Sequence, residues 1–153
     1  MPITTTLNRI KNCDACAYGL AAILAHLCKT KADNEPLPFA TIVKIKGLPY
    51  AVWCTQTAPE HAVAWRAFAT MCYQRRGFGV FLAPPEAWRE AHQASWGSLE
   101  HAKREALKNR GWGETIAEVE GDGWDDECEA QQSDFLKIVN PQHTHGEEEL
   151  SCR

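Results

Sequence analysis

An all-α bundle of about six to seven short helices is the fold this sequence predicts, on the positions of its helix starts and stops. Three observations carry that reading. In the apolar stretch from residue 37 to 77, Pro38, Pro49 and Pro59 stand where a first helical turn tolerates proline, and Gly47 and Gly77 stand where a helix can stop. Apolar residues recur at i, i+3 and i+4 spacing in several segments. The one β-like pair, FATIVKIK and PYAVWC, is joined by KGLP, which lacks the Asn-Gly or Asp-Gly of a tight hairpin. Isoleucine, valine and tyrosine keep the hairpin open there. The prolines, and the spacing of Phe39, Ile42 and Val43, favour two short helices.

Taken in order, the first helix is expected to start near Asn12 to Asp14, with Cys16, Leu20, Ile23, Leu24 and Leu27 as its stripe. KTKADNEP is a polar connector. After the two short helices, Thr57 and Glu60 read as a T-x-x-E capping box. The helix behind it turns Val63, Ala64, Phe68, Met71 and Cys72 inward and ends at Arg75-Arg76-Gly77, with cations suited to the dipole. GFGVFLAPP is a break. Pro84-Pro85 opens a helix with Trp88, His92 and Trp96 one turn apart, and Ser98 caps a further one that Gly111 ends. The segment from Glu114 to Glu129 reads as an acidic loop before a last helix over 125–139. Residues 1–139 thus form a single helical domain, and 140–153 a mobile polar tail.

Composition excludes several classes. The net charge of −4 argues against a general nucleic-acid binder. No apolar run approaches the roughly 18–20 residues of a bilayer span, and the N-terminus has no signal-peptide pattern. Seven cysteines are an odd number for a secreted disulfide framework, and five of them fall in or at the start of amphipathic segments. Reduced, packed thiols in the cytoplasm are the simplest account.

The sharpest chemical signal is acidity. Glu114, Glu118, Glu120, Asp122, Asp125, Asp126, Glu127 and Glu129 follow one another with no intervening lysine or arginine, and Trp112 and Trp124 flank or interrupt the run. Such a run is either a solvated face or a surface that meets a basic partner by steering and charge complementarity. Tryptophan beside charge is a common interface anchor.

Other constellations are weaker. Cys13-x-x-Cys16 is half of a zinc site, and His143-x-His145 is too remote in sequence to complete it simply. Cys16 with His61 lacks an orienting third group for a hydrolase. Residues 118–129 follow the calcium-loop register loosely, with Glu118 and Asp125 at discordant positions. Lys103, Arg104, Lys108 and Arg110 could touch phosphate, but acids interleave them.

The letters from Lys29 to Pro38, Gly47 to Cys54 and Glu60 to Cys72, with Ala130, Gln131 and Phe135, resemble a set of small bacterial and prophage proteins described as immunity proteins. The resemblance implies an all-α, non-enzymatic protein that neutralises something by binding it, with no catalytic residue to carry over. The chain departs from that set in a shorter alanine-rich region and in its acidic insertion, where a different partner would be recognised. The expectation is an inhibitor from a mobile element, without cofactor or metal and without direct nucleic-acid or membrane contact. Its target would be a toxin or a basic defence effector such as a CRISPR protein, met by Glu114, Glu118, Glu120, Asp122, Trp124, Asp125, Asp126, Glu127 and Glu129. The alternatives are a metal- or thiol-based protein built on Cys13 and Cys16, and a weak nucleic-acid binder.

Overall fold

The computed structural model describes residues 1–14, 16–76 and 84–141, apart from the Arg76 side chain. Among them the chain forms seven α-helices: α1 (Leu7–Asn12), α2 (Leu20–His26), α3 (Phe39–Lys46), α4 (Leu48–Trp53), α5 (Ala62–Arg76), α6 (Ala87–Lys108) and α7 (Ile116–Val139). The segment 77–83, read as a break that begins with the helix-stopping Gly77, and the tail beyond 141 with His143 and His145 lie outside the described residues.

The bundle is all-α, with one small exception. Thr4–Thr5 (β1) pairs antiparallel with Leu37–Pro38 (β2). The Ile3 amide donates to the Val139 carbonyl at 2.7 Å, and the Phe39 amide to the Ile3 carbonyl at 3.1 Å. The N-terminal strand is thereby tied to the C-terminal end of α7. The two short helices α3 and α4 replace any hairpin. Gly47 separates them at φ 90°, a conformation that favours glycine.

Several local readings are corrected. A helix precedes the expected first one. Thr6 caps α1 by accepting from the Arg9 amide at 3.1 Å, and Leu7 and Ile10 are buried. The expected stripe of Cys16, Ile23 and the flanking leucines does face the core, but a 3-10 turn over Ala17–Gly19 precedes α2. Thr57 caps nothing. Its hydroxyl donates to the Cys54 carbonyl and shares a hydrogen bond with Thr5 Oγ1, each at 2.7 Å. Glu60 instead pairs with Arg9 at 2.6 Å. On α5, Phe68 and Cys72 are buried as expected, yet Val63 is 86% exposed and Met71 only half-buried. Trp65 takes the central place.

Ser98 does not start a helix. It lies within the continuous α6, buried, and donates to the Cys72 carbonyl on α5 at 3.1 Å. The acidic segment is not a loop. Thr115 caps α7 by accepting from the Glu118 amide at 3.2 Å, and the helix runs through every carboxylate from Glu118 to Glu129. Among the expected site residues only Glu114 precedes it.

Two cores hold the long helices together. The first is aromatic. Phe135 of α7 meets Phe39, Trp65 and Phe68, the last edge-on at 5.2 Å. Trp65 also donates its indole N–H to the Ala58 carbonyl at 2.8 Å, which satisfies its polar atom. The second is polar. Arg75 of α5 forks onto Glu127 of α7 at 3.0 Å and also pairs with Asp134. Gln131 donates to Glu127 at 2.8 Å and to the Ser95 carbonyl at 3.1 Å, and accepts from the Ser95 hydroxyl at 2.6 Å. Glu127 and Gln131 have no solvent exposure. Burial opposes the Arg75 charge, but the bonds to Glu127 and Asp134 outweigh it and hold the guanidinium above its ordinary pKa.

Two glycines of α7 differ in surroundings. A Cβ on Gly123 would lie 2.8 Å from both the Ala102 carbonyl oxygen and Ala106 Cβ, so α6 and α7 approach through small residues there. A Cβ on Gly121 would meet nothing within 4 Å. Gly121→Ala is therefore expected to stabilise the fold by about 0.5–1 kcal/mol through helix propensity. Gly123→Ala is expected to destabilise it by about 1–3 kcal/mol through overpacking. Thermal unfolding of the two variants checks the opposite signs. Arg75→Met, which takes the guanidinium away from buried Glu127, should cost about 3–5 kcal/mol in urea denaturation. Arg75→Met combined with Glu127→Leu should recover most of that loss.

Candidate functional site: the outer face of the last helix

The carboxylates that sequence spacing grouped together are sorted by the helix into different roles. Glu118, Asp122, Asp125, Asp126 and Glu129 are exposed. At 3.6 residues per turn they fall within about 100° of arc, a single stripe along α7. Among the described residues none of these five enters an ion pair. Only Lys137, in the last turn, supplies a cation on the exposed surface of the same helix. The stripe is an uncompensated negative surface.

The other expected members stand apart. Glu127 points into the core and belongs to the Arg75 network, so the expectation that it meets a partner is overturned: an i+4 ladder of Val119, Gly123, Glu127, Gln131 and Phe135 is turned inward. Glu120 is half-buried. Glu114 precedes the helix and accepts from the Gly111 amide at 2.7 Å, which closes the turn between α6 and α7. Trp124 is half-buried, edge-on to Trp96 of α6 at 5.3 Å, with the Lys103 ammonium 5.5 Å from its ring centre. Trp112 is fully exposed in the α6–α7 turn.

Sequence reasoning missed the concavity on the other side of Trp96. A cleft of about 350 Å³ opens between α4 and α6, walled by Tyr18, Tyr50, Trp53, His92, Trp96 and Leu99. Trp88, His92 and Trp96 read as core or as an aromatic cluster; His92 and Trp96 pair instead with rings from other elements, and Trp88 lies under the Arg89 guanidinium. The His92 ring packs on Trp53 with centroids 4.4 Å apart, while Trp96 is 53% exposed. The partner ring, Trp53, lies 39 residues away in sequence, beyond the reach of local periodicity.

The metal and nucleophile readings find no support in this geometry. Residues 118–129 lie in continuous helix and cannot wrap a calcium ion as a 12-residue loop does. Among the described residues no group of three or more His, Cys, Asp and Glu side chains is arranged to hold a metal. His61 packs its ring on Trp65 at 6.2 Å. Cys16 is buried against Cys13, Cys54 and the Trp53 carbonyl, and the hydrogen bond to Cys54, together with burial, raises its thiol pKa far above the ordinary value. Such a thiol is not poised to attack an external substrate. Cys13, Cys16, Cys54, Cys72 and Cys128 are free thiols, whereas Cys28 is disulfide-bonded, which departs from the expectation that the cysteines are reduced. Lys103 is engaged by Trp124 and by Glu100 at 3.5 Å, which dilutes the basic cluster of α6. No helix among the described residues is long and apolar enough to cross a membrane.

No family model matches the chain, and neither a curated protein nor a solved structure matches it.

Burial lowers the pKa of His92 below its ordinary 6.5. The imidazole is thus held neutral in the fold, while the unfolded chain takes up a proton as pH falls past about 6.5. Stability from this group is complete above that pH and declines from there towards the depressed folded value. Urea unfolding at about pH 7.5 and 5.5 should show this acid-side loss in the native protein and a smaller one in His92→Gln.

Proposed function

We propose that this chain is a non-enzymatic binding protein that neutralises a basic macromolecular partner with the outer face of α7. The supporting observation is the stripe of Glu118, Asp122, Asp125, Asp126 and Glu129, exposed and unpaired among the described residues on one helical face. Five carboxylates so aligned repel one another, and a surface rich in lysine and arginine relieves that repulsion on contact. A protein that handles nucleic acid carries such a surface, built for phosphate, and carboxylates placed on it would compete with the polymer. The resemblance to small immunity proteins of bacteria and prophages fits the same reading. The partner is then a toxin or a nucleic-acid-binding defence effector in the cytoplasm, and the chain comes from a mobile element. Trp124, beside the stripe and packed edge-on to Trp96, supplies an apolar edge to the contact.

The test keeps Glu127 intact, because its removal would unsettle the core. Asp122→Lys, Asp125→Lys and Asp126→Lys are combined in one variant, and pulldown from host lysate compares it with wild type. A basic partner should be captured by wild type alone, and its association rate should fall by about tenfold or more in the variant and with added salt. Equal capture by both proteins, with unchanged helical circular dichroism, would refute the assignment of this face.

A further inference from the structure

Behind the aromatic cleft the chain brings two sulfurs together. Cys13 ends α1, its amide donating to the Ile10 carbonyl at 3.1 Å. Its own carbonyl then accepts from the amides of Cys16 at 2.9 Å and Ala17 at 3.0 Å, which closes a turn. That turn holds Cys13 Sγ 3.0 Å from Cys16 Sγ, against about 2.0 Å for a disulfide bond. The two thiols differ in access. Cys13 is half-buried, and Cys16 has no exposure. A third thiol, Cys54, is hydrogen-bonded to Cys16 and is equally buried. Neither the buried core nor the α7 face needs a sulfur pair at this turn.

We propose that Cys13 and Cys16 are a redox-active dithiol, oxidised to an intrachain disulfide by low-molecular-weight disulfides of the glutathione type. Cys13 is the entry thiol, because an incoming disulfide reaches it and not Cys16. Cys13 gives its proton to solvent, and its thiolate attacks one sulfur of the oxidant. That sulfur–sulfur bond breaks, and the first small thiol leaves with the electron pair and takes up a proton. Cys16 Sγ, 3.0 Å away, then attacks Cys13 Sγ within the mixed disulfide and expels the second small thiol, which takes up the Cys16 proton as it leaves. The protein dithiol loses two electrons and two protons, and the small disulfide is reduced to two thiols. Cys54 cannot be the entry point, since it is fully buried. The turn also touches the cleft wall: the Cys16 carbonyl accepts from the Tyr50 hydroxyl, and Tyr18 packs edge-on to Tyr50 at 5.1 Å. Both rings wall the cleft, so the Cys16 backbone lies directly behind that wall.

The experiment incubates the whole native protein in mixtures of oxidised and reduced glutathione, quenches exchange with acid, alkylates the free thiols in denaturant and reads each cysteine by peptide mass. The Cys13–Cys16 peptide should come out two hydrogens lighter and unalkylated, with Cys54 and Cys72 fully alkylated. Cys16→Ser should trap glutathione on Cys13, and Cys13→Ser should leave Cys16 unmodified. The wild-type result stands without either variant if one of them does not fold. A lasting glutathione adduct on wild-type Cys13, a Cys16–Cys54 bond, or native protein that stays fully alkylated at Cys13 under oxidising mixtures would each overturn the proposal.

Discussion

A carboxylate with no access to water sits at the centre of this molecule, and the arrangement of the long helices follows from it. Glu127 is held there by Arg75, which reaches across from α5, and by Gln131 one turn on. Gln131 in turn needs Ser95 of α6. Each of the three long helices therefore contributes a group that another cannot do without. Such a network has little tolerance for slippage, because a shift of one residue along any helix would leave a buried polar atom without a partner. It fixes the rotation of α7 about its own axis. With Glu127 and Gln131 turned inward, Glu118, Asp122, Asp125, Asp126 and Glu129 are turned outward by the period of the helix alone.

The second constraint is the closure of the chain upon itself. The N-terminal strand bonds to β2 on one side and to the last carbonyl of α7 on the other. Thr5 continues the tie inward through Thr57, and Arg9 fastens the 3-10 turn before α5 by its contacts with Glu60 and the Thr57 carbonyl. The short helices α1 to α4 cannot stand alone at six to eight residues each. They hold because they are packed against the aromatic core around Phe135 and Trp65 and pinned at both ends of the sequence.

The fold class was legible in the sequence because it depends on local signals that the fold uses. Proline and glycine punctuation survived around α3 and α4, and Phe68 and Cys72 of the expected stripe survived in α5. The errors share one cause: signals of equal local strength that tertiary context decides. The T-x-x-E pattern occurs at Thr57–Glu60 and again at Thr115–Glu118, and the fold caps a helix at the second. At the first, Thr5 and Arg9 recruit both side chains. Gly121 and Gly123, set among acids, weaken helix propensity enough to read as a loop. The aromatic ladder and the Arg75 network supply what propensity lacks. Ser98 looks like a cap until α5 offers it the Cys72 carbonyl. The acidic stripe was legible as composition, but its division into five outward groups and one buried one was not, since that division requires the phase of the helix. The cleft left no local trace, because Trp53 and His92 meet only once α4 and α6 are packed.

Writing an anchor and a surface onto alternate residues of one helix separates two kinds of inheritance. The inner letters of α7 are bound to partners on α3, α5 and α6, and a change in one asks for a change in another. The outer letters answer to nothing inside the molecule, and substitutions at such positions typically alter stability by less than about 0.5 kcal/mol. A lineage bearing this fold can respell its outward face residue by residue, even reverse its charge, while the scaffold stays the same. Descendants would then share a skeleton and differ in what they touch, and their kinship would be easier to see in the buried residues than in the exposed ones.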